Sequence, residues 1–251
     1  MASAYVHEIF ASIQGEGPWV GTRHIFVRFY GCSLGCRYCD TTAAIDRENA
    51  SGSPPHCSVQ TSIVRDEREL VQNPIFSSRL TELCSRLVVQ GPSRPTLSLT
   101  GGEPLLHDAF LKEWLPQVKK DFTTYLETNG IHPDRMEGLR DLIDIVSMDI
   151  KLPSATGLKP YWDEHRQFLR TVRDLKVFVK IVVTKDTEEE DIAAAAGIVA
   201  DHDTTAPLII QPANGTLAPG PGTVLRFQQT ALRMLQDVRV IPQVHKMLQI
   251  P

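Results

Sequence analysis

The chain has 251 residues, of which 42% are hydrophobic, and this length and composition suit one α/β domain with a substantial core. Its formal net charge is -4 and it contains no long run of Lys or Arg, which argues against a nucleic-acid partner and favours a small-molecule substrate. No stretch of 18 apolar residues occurs, and the N-terminus lacks the pattern of a signal peptide, so we expect no membrane contact and a cytoplasmic protein.

The first predicted strands flank a turn rich in glycine. Apolar positions from Val6 to Ile13 lead into a loop at Gln14 to Pro18, and the aromatic and β-branched segment His24 to Tyr30 predicts a buried strand. Arg28 lies inside this apolar segment, where a guanidinium needs an anion or carbonyl groups as partners. A bound anion and a structural salt bridge are both open as its partner.

Three clustered cysteines follow this strand. Cys32, Cys36 and Cys39 have the spacing C-x-x-x-C-x-x-C. Iron–sulfur clusters usually take four protein thiolates, so three indicate a cluster with one iron open to another ligand. A zinc loop completed by a distant His or Cys is the alternative. Five cysteines in all, three of them clustered, favour metal chemistry in a reducing compartment over a disulfide framework.

Residues 43 to 95 change in character. The stretch ENASGSPPHCS, from Glu48 to Ser58, follows neither a helical nor a strand period and predicts an irregular loop or lid. Helical spacing within the region predicts one amphipathic helix, from about Ser77 to Val89. Cys84 lies in that helix as an expected core residue, and Cys57 receives no role.

A short strand around Leu97 and Leu99 then ends in the sequence TGGEP, from Thr100 to Pro104. Glycines directly after a strand allow a ligand to approach the backbone closely, although a plain tight turn would use them too. The position of this turn downstream of the clustered cysteines favours the ligand interpretation.

The rest of the chain alternates strands and helices, which predicts a parallel sheet. The strands are expected at Thr124–Glu127, Asp144–Ile150, Val177–Thr184, Pro207–Gln211 and Val238–Ile241. The clearest helices are expected at Tyr161–Asp174, Glu188–Ala200 and Val224–Asp237. Polar or turn-forming residues follow several strands, and in parallel α/β folds the carboxyl ends of the strands carry the ligand.

Five segments together resemble the 7-carboxy-7-deazaguanine synthase family of radical S-adenosylmethionine (SAM) enzymes. They are Glu8–Gly17, Phe26–Thr41, Thr100–Leu105, Glu127–Gly130 and Gln243–Lys246. The resemblance implies an α/β fold, a partial and modified (β/α) radical SAM barrel with parallel strands. It implies one domain over 1–251, with the insertion at about 43–95, and a homodimer. The implied reaction converts 6-carboxy-5,6,7,8-tetrahydropterin to 7-carboxy-7-deazaguanine with loss of ammonia, on the way to queuosine-type nucleosides.

The resemblance also implies the cofactors. A 4Fe-4S cluster on Cys32, Cys36 and Cys39 would pass an electron from a donor such as flavodoxin to SAM, giving a 5'-deoxyadenosyl radical, and SAM would be reused. Mg²⁺ would bind at Thr41, which is otherwise a cap or turn residue. The implied SAM contacts are Gly101, Gly102, Ser147, Asp149, Lys151, Gln211, Pro212, Ala213 and Asn214.

Both ends of the chain are implied to bind the pterin. The implied substrate contacts are Ile13, Gln14, Gly15, Arg28, Thr100, His245 and Pro251. Arg28 would pair with the substrate carboxylate, and Pro251 would contribute its terminal carboxylate. A structural role for His245 and a frayed tail at Pro251 are the alternatives.

Three other functions remain open from the sequence. A glycyl-radical-enzyme activase would share the cysteine loop, the Gly-Gly-Glu-Pro turn and the Asn-Gly motif, and would bind a protein partner. An iron–sulfur electron carrier and a zinc-dependent structural module belong to other classes.

Overall fold

Twelve strands and eight helices make up the part of the chain that the structure describes. The structure is a computed structural model, and it describes residues 2–41, 44, 54–62 and 67–250. The strands are β1 (Ser3–Ala4), β2 (Val6–Ile13), β3 (Arg23–Phe29), β4 (His56–Gln60), β5 (Arg68–Gln72), β6 (Ile75–Phe76), β7 (Thr96–Gly101), β8 (Thr123–Thr128), β9 (Ile145–Ile150), β10 (Lys176–Val183), β11 (Leu208–Pro212) and β12 (Val238–Val240). The helices are α1 (Ser77–Ser85), α2 (Asp108–Val118), α3 (Pro133–Glu137), α4 (Pro153–Thr156), α5 (Trp162–Thr171), α6 (Glu189–His202), α7 (Pro221–Leu232) and α8 (Val244–Met247).

One ten-stranded sheet organises the fold, with the order β12-β11-β10-β9-β8-β7-β3-β2-β4-β5. The seven strands from β12 to β3 in this order are mutually parallel. Strand β2 is antiparallel to β3, β4 is parallel to β2, and β5 is antiparallel to β4. Among the described residues β12 and β5 are free edges, so the sheet does not close. The expected α/β fold with a partial barrel and parallel strands is confirmed.

The longer helices, α1, α2, α5, α6 and α7, pack on one face of this sheet and bury the main core. Trp114 and Phe110 of α2 are almost fully buried there, as are Ile192 and Val199 of α6. Helix α6 begins with three acidic residues in its first turn, which its N-terminal dipole favours. No helix among the described residues has the length and apolar character needed to cross a bilayer.

The predicted helices form, with shifted ends. Helix α1 ends at Ser85 rather than Val89, and α5 ends at Thr171 rather than Asp174. Helix α7 begins three residues earlier than expected, because Pro221 suits the first helical position, where its missing N–H costs nothing.

In the expected irregular and helical insertion at about 43–95 the structure confirms the helix, as α1, but contains strands that the sequence did not predict. Strands β4 and β5 form an antiparallel pair that extends the main sheet, with β4 alongside β2. The Asn73 side chain fixes this attachment, since it accepts from Val6 N–H at 3.2 Å and donates to Val6 O at 2.9 Å. Cys57, on β4, and Cys84 are both fully buried in the core.

Candidate active site

On the sheet face opposite the main core, each central strand changes from apolar to polar towards its carboxyl end. Alternate residues of a strand share a face, so the residue two places beyond each apolar one points the same way. The apolar members pack in a separate small cluster with Trp19. The apolar residue and the polar residues that follow it on the same face are Tyr125 and Glu127 on β8, Ile145, Ser147 and Asp149 on β9, Phe178 and Lys180 on β10, and Ile209 and Gln211 on β11.

These polar ends meet in a cavity of ≈ 710 Å³. The predicted site residues that line it are Ile13, Gln14, Gly15, Arg28, Cys32, Cys36, Cys39, Thr41, Thr100, Gly101, Gly102, Ser147, Asp149, Lys151, Gln211, Ala213, Asn214 and His245. Pro212 ends β11 beside the cavity but is not among its lining residues, and Pro251 lies outside the described residues. The structure therefore brings almost all of the predicted residues to one place.

The cysteine loop forms one wall of the cavity. Burial raises the pKa of Cys32 to about 11 and also raises that of Cys36, so these thiols need a bound cation to become thiolates. The Leu34 N–H already donates to Cys32 Sγ at 3.4 Å.

The donor set of this loop fits a multi-iron cluster. No three His, Cys, Asp or Glu side chains in the described ranges converge on a point where a single metal ion could bind. Three thiols of one loop that face one cavity suit a cluster in which each thiolate binds its own iron.

The TGGEP turn packs directly against the start of the cysteine loop. Gly102 N–H donates to Phe29 O at 3.1 Å, and Glu103 N–H donates to Gly31 O at 2.7 Å. A Cβ on Gly102 would lie 2.0 Å from Gly31 O, and one on Gly101, whose φ is +126°, would lie 2.3 Å from Phe29 O. The glycines are thus required by backbone packing, a reason that the ligand interpretation of the sequence did not include.

Glu103 joins this turn to the end of β8. Its fully buried carboxylate accepts from Leu105 N–H at 3.0 Å, Thr128 Oγ1 at 2.8 Å and Asn129 N–H at 2.8 Å. Burial raises the pKa of Glu103, against the effect of these hydrogen bonds. Sequence reasoning assigned it no role, although an acid between a glycine pair and a proline was a visible signal.

A row of alternating charges crosses the floor of the cavity. Lys151 Nζ lies 2.9 Å from Asp149 Oδ2, Lys180 Nζ lies 3.5 Å from the same oxygen, and Lys180 also pairs with Glu16. Burial alone would lower the pKa of Lys180, but Glu16 and Asp149 hold it above its usual range. Neither Glu16 nor Lys180 was predicted as a site residue.

Several buried polar atoms in the cavity have no hydrogen-bond partner within the described part of the chain. They are Asp149 Oδ1, Gln211 Oε1, Asn129 Nδ2 and the Tyr38 hydroxyl, and all four residues line the cavity. Buried polar atoms are rarely left unpaired, so these positions suit bound water or a polar ligand. The free Asp149 and Gln211 oxygens fit the hydroxyl, amino and ammonium donors of SAM.

Glu127 lines the cavity and accepts hydrogen bonds from two other lining residues. Its Oε1 accepts from Gln14 Nε2 at 2.9 Å, and its Oε2 accepts from Thr100 Oγ1 at 2.7 Å. Burial and the nearby Glu16 raise the pKa of Glu127. Its ETNG motif was noted in the sequence, but the residue itself was not predicted as part of the site.

Arg28 forms a structural salt bridge, which is one of the two kinds of partner that the sequence allowed. Its Nε lies 2.7 Å from Glu8 Oε1. A guanidinium has five N–H donors, so this contact is compatible with a second, bound anion.

The C-terminal segment closes one side of the cavity. Val244 N–H donates to Gly15 O at 2.9 Å, and the His245 ring fills the space beside Gly15, where a Cβ would lie 2.0 Å from His245 Nδ1. Gln243 Nε2 donates to Glu16 Oε1 at 2.7 Å and to Asp40 Oδ2 at 3.0 Å. His245 therefore has a packing role and also lines the cavity.

Asp40 connects this segment to Thr41. Lys246 Nζ lies 2.6 Å from Asp40 Oδ2, while Thr41 Oγ1 donates to Asp40 Oδ1 at 3.1 Å. Burial acts to raise the pKa of Asp40, but hydrogen bonds from Lys246 and Gln243 hold it well below its usual range. A hydroxyl beside an ionised carboxylate offers the oxygen ligands that Mg²⁺ prefers.

Comparison with known proteins gives consistent matches. The family model described as the radical SAM superfamily matches residues 26–196. A 7-carboxy-7-deazaguanine synthase of Geobacter sulfurreducens is 38% identical over 249 residues, which cover 98% of this chain and 97% of that protein. One of Methanopyrus kandleri is 33% identical over 97% of this chain and 92% of that protein. The crystal structure of QueE from Escherichia coli, at 22% identity, covers 97% of this chain and 95% of its own with a TM-score of 0.59, which supports the fold.

Proposed function

The chain belongs to the radical SAM superfamily and, within it, to the 7-carboxy-7-deazaguanine synthase family, and from this premise we propose that it is a lyase of deazapurine biosynthesis. Its reaction converts 6-carboxy-5,6,7,8-tetrahydropterin to 7-carboxy-7-deazaguanine with loss of ammonia. The observation that carries the proposal is one continuous cavity, which joins the cysteine loop to a polar pocket large enough for both SAM and a pterin.

The cofactor side of the cavity has two tasks. Cys32, Cys36 and Cys39 would hold a 4Fe-4S cluster which, when bound, supplies the electron that cleaves SAM. The glycine turn, which packs on the cysteine loop, would hold the amino acid end of SAM close to the cluster. Asp149 would accept from the ribose hydroxyls through Oδ1, because Lys151 and Lys180 already bind Oδ2. The remaining proposed SAM contacts are Ser147, Gln211, Pro212, Ala213 and Asn214.

The substrate side recognises a flat heterocycle with one carboxylate. Gln14, Thr100 and Glu127 supply donors and acceptors at one polar edge, which fits the guanidine-like edge of a pterin. Arg28 pairs with the substrate carboxylate. Ile13, Gly15 and His245 complete this side.

Further features belong to the same proposal. Mg²⁺ would bind at Thr41, an electron donor such as flavodoxin would reduce the cluster, and the protein would work as a cytoplasmic homodimer. The chain forms one domain over 1–251, and the attachment of β4 and β5 to the main sheet supports this.

The test of the function is an anaerobic incubation of the reconstituted protein with SAM, a reductant and one of two substrates. With 6-carboxy-5,6,7,8-tetrahydropterin we expect mass spectrometry to detect 7-carboxy-7-deazaguanine. With a glycyl-radical-enzyme polypeptide we expect no glycyl radical by electron paramagnetic resonance. The opposite pair of results would contradict the proposal and support an activase.

Mg²⁺ should stimulate turnover through Thr41. Loss of outer-shell partners of a metal typically costs about 10- to 100-fold in affinity, so Thr41→Val, which removes a direct hydroxyl ligand, should weaken the Mg²⁺ response at least about tenfold. The measurement is the rate against Mg²⁺ concentration after chelation, with iron content unchanged. Thr171→Val, on the distant helix α5, is the matched control. Equal responses in the two variants would remove Thr41 from the metal site.

The exact length of the C-terminus should matter if the Pro251 carboxylate binds the pterin. Charge-assisted hydrogen bonds contribute roughly 1.5 to 3 kcal/mol each, and a loss of 1.4 kcal/mol is about tenfold in binding. We therefore expect a short extension after Pro251 to raise the substrate KM at least about tenfold while cluster content stays constant. Unchanged kinetics in a folded, cluster-replete extension would show that Pro251 does not bind the substrate.

A further inference from the structure

Strand β5, in the insertion predicted to be irregular and helical, supplies a side chain to the edge of the site. Arg68 Nη1 lies 2.8 Å from Glu8 Oε2. The other oxygen of the same carboxylate, Oε1, lies 2.7 Å from Arg28 Nε. Glu8 is therefore shared by two guanidinium groups, and of the three side chains Glu8 and Arg28 line the cavity.

An aromatic ring fixes the geometry of this trio. The centroid of the Phe10 ring lies 5.6 Å from Arg28 Cζ and 6.0 Å from Arg68 Cζ, within cation–π range of both. Phe10 in turn stacks on Phe26, with ring centroids 5.0 Å apart. The Arg28 and Glu8 side chains are each only 20% exposed, so water screens their interaction weakly.

The second oxygen of Glu8 matters because carboxylates and guanidiniums favour bidentate pairs. Without Arg68, Glu8 Oε2 would be available to a terminal NH₂ group of Arg28, which would consume a donor needed by a bound anion. The local charge would change as well. The formal charges of Arg28, Arg68 and Glu8 sum to +1, whereas those of Arg28 and Glu8 alone sum to zero. An anionic substrate group binds better beside the net positive charge.

We propose that Arg68 is a positioning residue for substrate binding. By holding the second oxygen of Glu8, it keeps the donors of Arg28 available to the substrate carboxylate and keeps this end of the cavity positive. The inference rests on the proposed function, in which Arg28 binds that carboxylate. It gives β5 a role beyond extending the sheet.

The test compares 6-carboxypterin with unsubstituted pterin, two stable probes that differ in the carboxylate. Their dissociation constants are measured by calorimetry on the anaerobically reconstituted protein with SAM. In Arg68→Met, which removes the guanidinium but keeps an unbranched side chain, we expect 6-carboxypterin to bind about tenfold more weakly, a change that corresponds to 1.4 kcal/mol. The affinity for unsubstituted pterin should not change. Arg68→Lys should recover part of the loss, because it keeps the charge without the fork.

Glu69→Gln is the matched control on the same strand. It removes a surface ion pair with Arg86, whose atoms lie 2.7 Å apart with both side chains about 40% exposed, and such pairs contribute little. Binding of both probes should match the wild type. Turnover adds an independent readout, since Arg68→Met should raise the KM for the carboxylated pterin and leave the KM for SAM and the iron content unchanged.

Two outcomes would overturn the inference. One is unchanged 6-carboxypterin binding in Arg68→Met, and the other is an equal loss for both probes, which would show that Arg68 only supports the fold. The binding measurement requires no turnover, so it decides the role of Arg68 even if the wild-type protein fails to make the deazaguanine. Such a failure would contradict the proposed reaction separately.

Discussion

Replacing Cys36 with alanine should abolish all cleavage of SAM. Cys36 is the most buried of the three loop cysteines, and the cavity lining contains no fourth cysteine that could replace it. A cluster with one iron lacking its protein ligand should be lost or incomplete after anaerobic reconstitution. The measurements are iron and sulfide content and the yield of 5'-deoxyadenosine, and we expect that yield to fall to background.

Cys57→Ala is the control for this variant. Cys57 is also buried, but it lies on β4 in the main core, away from the cavity. The Cys57→Ala protein should keep a full cluster even if its free energy of unfolding falls, because the Cys57 thiol lies in the core whereas the Cys36 thiol lies on the cavity. A Cys36→Ala protein with four irons and normal 5'-deoxyadenosine production would disprove the cluster assignment.

Gly102→Ala should disrupt the site almost as severely, although the change adds only one methyl group. Its Cβ would lie 2.0 Å from Gly31 O and 2.5 Å from Gly31 C, and both are backbone atoms that cannot rotate away. The turn and the cysteine loop must therefore separate, which breaks their two hydrogen bonds. We expect reconstituted iron content and SAM affinity to fall at least about tenfold, since the loss of a pair of hydrogen bonds exceeds about 1.4 kcal/mol.

Gly197→Ala makes the same chemical change where there is space. Gly197 lies inside α6 with no atom within 4 Å of an added Cβ, and alanine favours a helix more than glycine does. It should keep its cluster and unfold at an equal or higher temperature. If Gly102→Ala behaved in the same way, the close packing of the turn on the cysteine loop would be refuted.

The sequence predicted the parallel part of the sheet well because its strands are long, apolar and separated by periodic helices. The strands β4 and β5 escaped prediction for a physical reason. Their five-residue segments carry little periodicity of their own, and sheet pairing decides their conformation, since β4 pairs with β2 and β5 pairs with β4. Pairing of that kind is a tertiary effect that local composition does not encode.

The sequence predicted some of the site residues and missed others, for a different reason. Motif residues such as the cysteines and glycines were named, whereas Glu16, Lys180 and Glu127 were not. Lys180 interrupts the apolar strand KVFVKIVV just as Arg28 interrupts HIFVRFY, so the same signal, a charge inside a buried strand, was available for both. The partners of these charges lie on other strands and loops, Asp149 on β9 and Glu16 in the loop after β2, and only the fold shows that Lys180 lies between Glu16 and Asp149.

The most direct test of the account is the stoichiometry of one anaerobic reaction. The reconstituted protein is incubated with SAM, a reductant, Mg²⁺ and 6-carboxy-5,6,7,8-tetrahydropterin, and the deazaguanine, ammonia and remaining SAM are quantified. The account predicts equal amounts of 7-carboxy-7-deazaguanine and ammonia, over many turnovers for each SAM consumed. Cleavage of SAM to 5'-deoxyadenosine with the pterin left unchanged would contradict it.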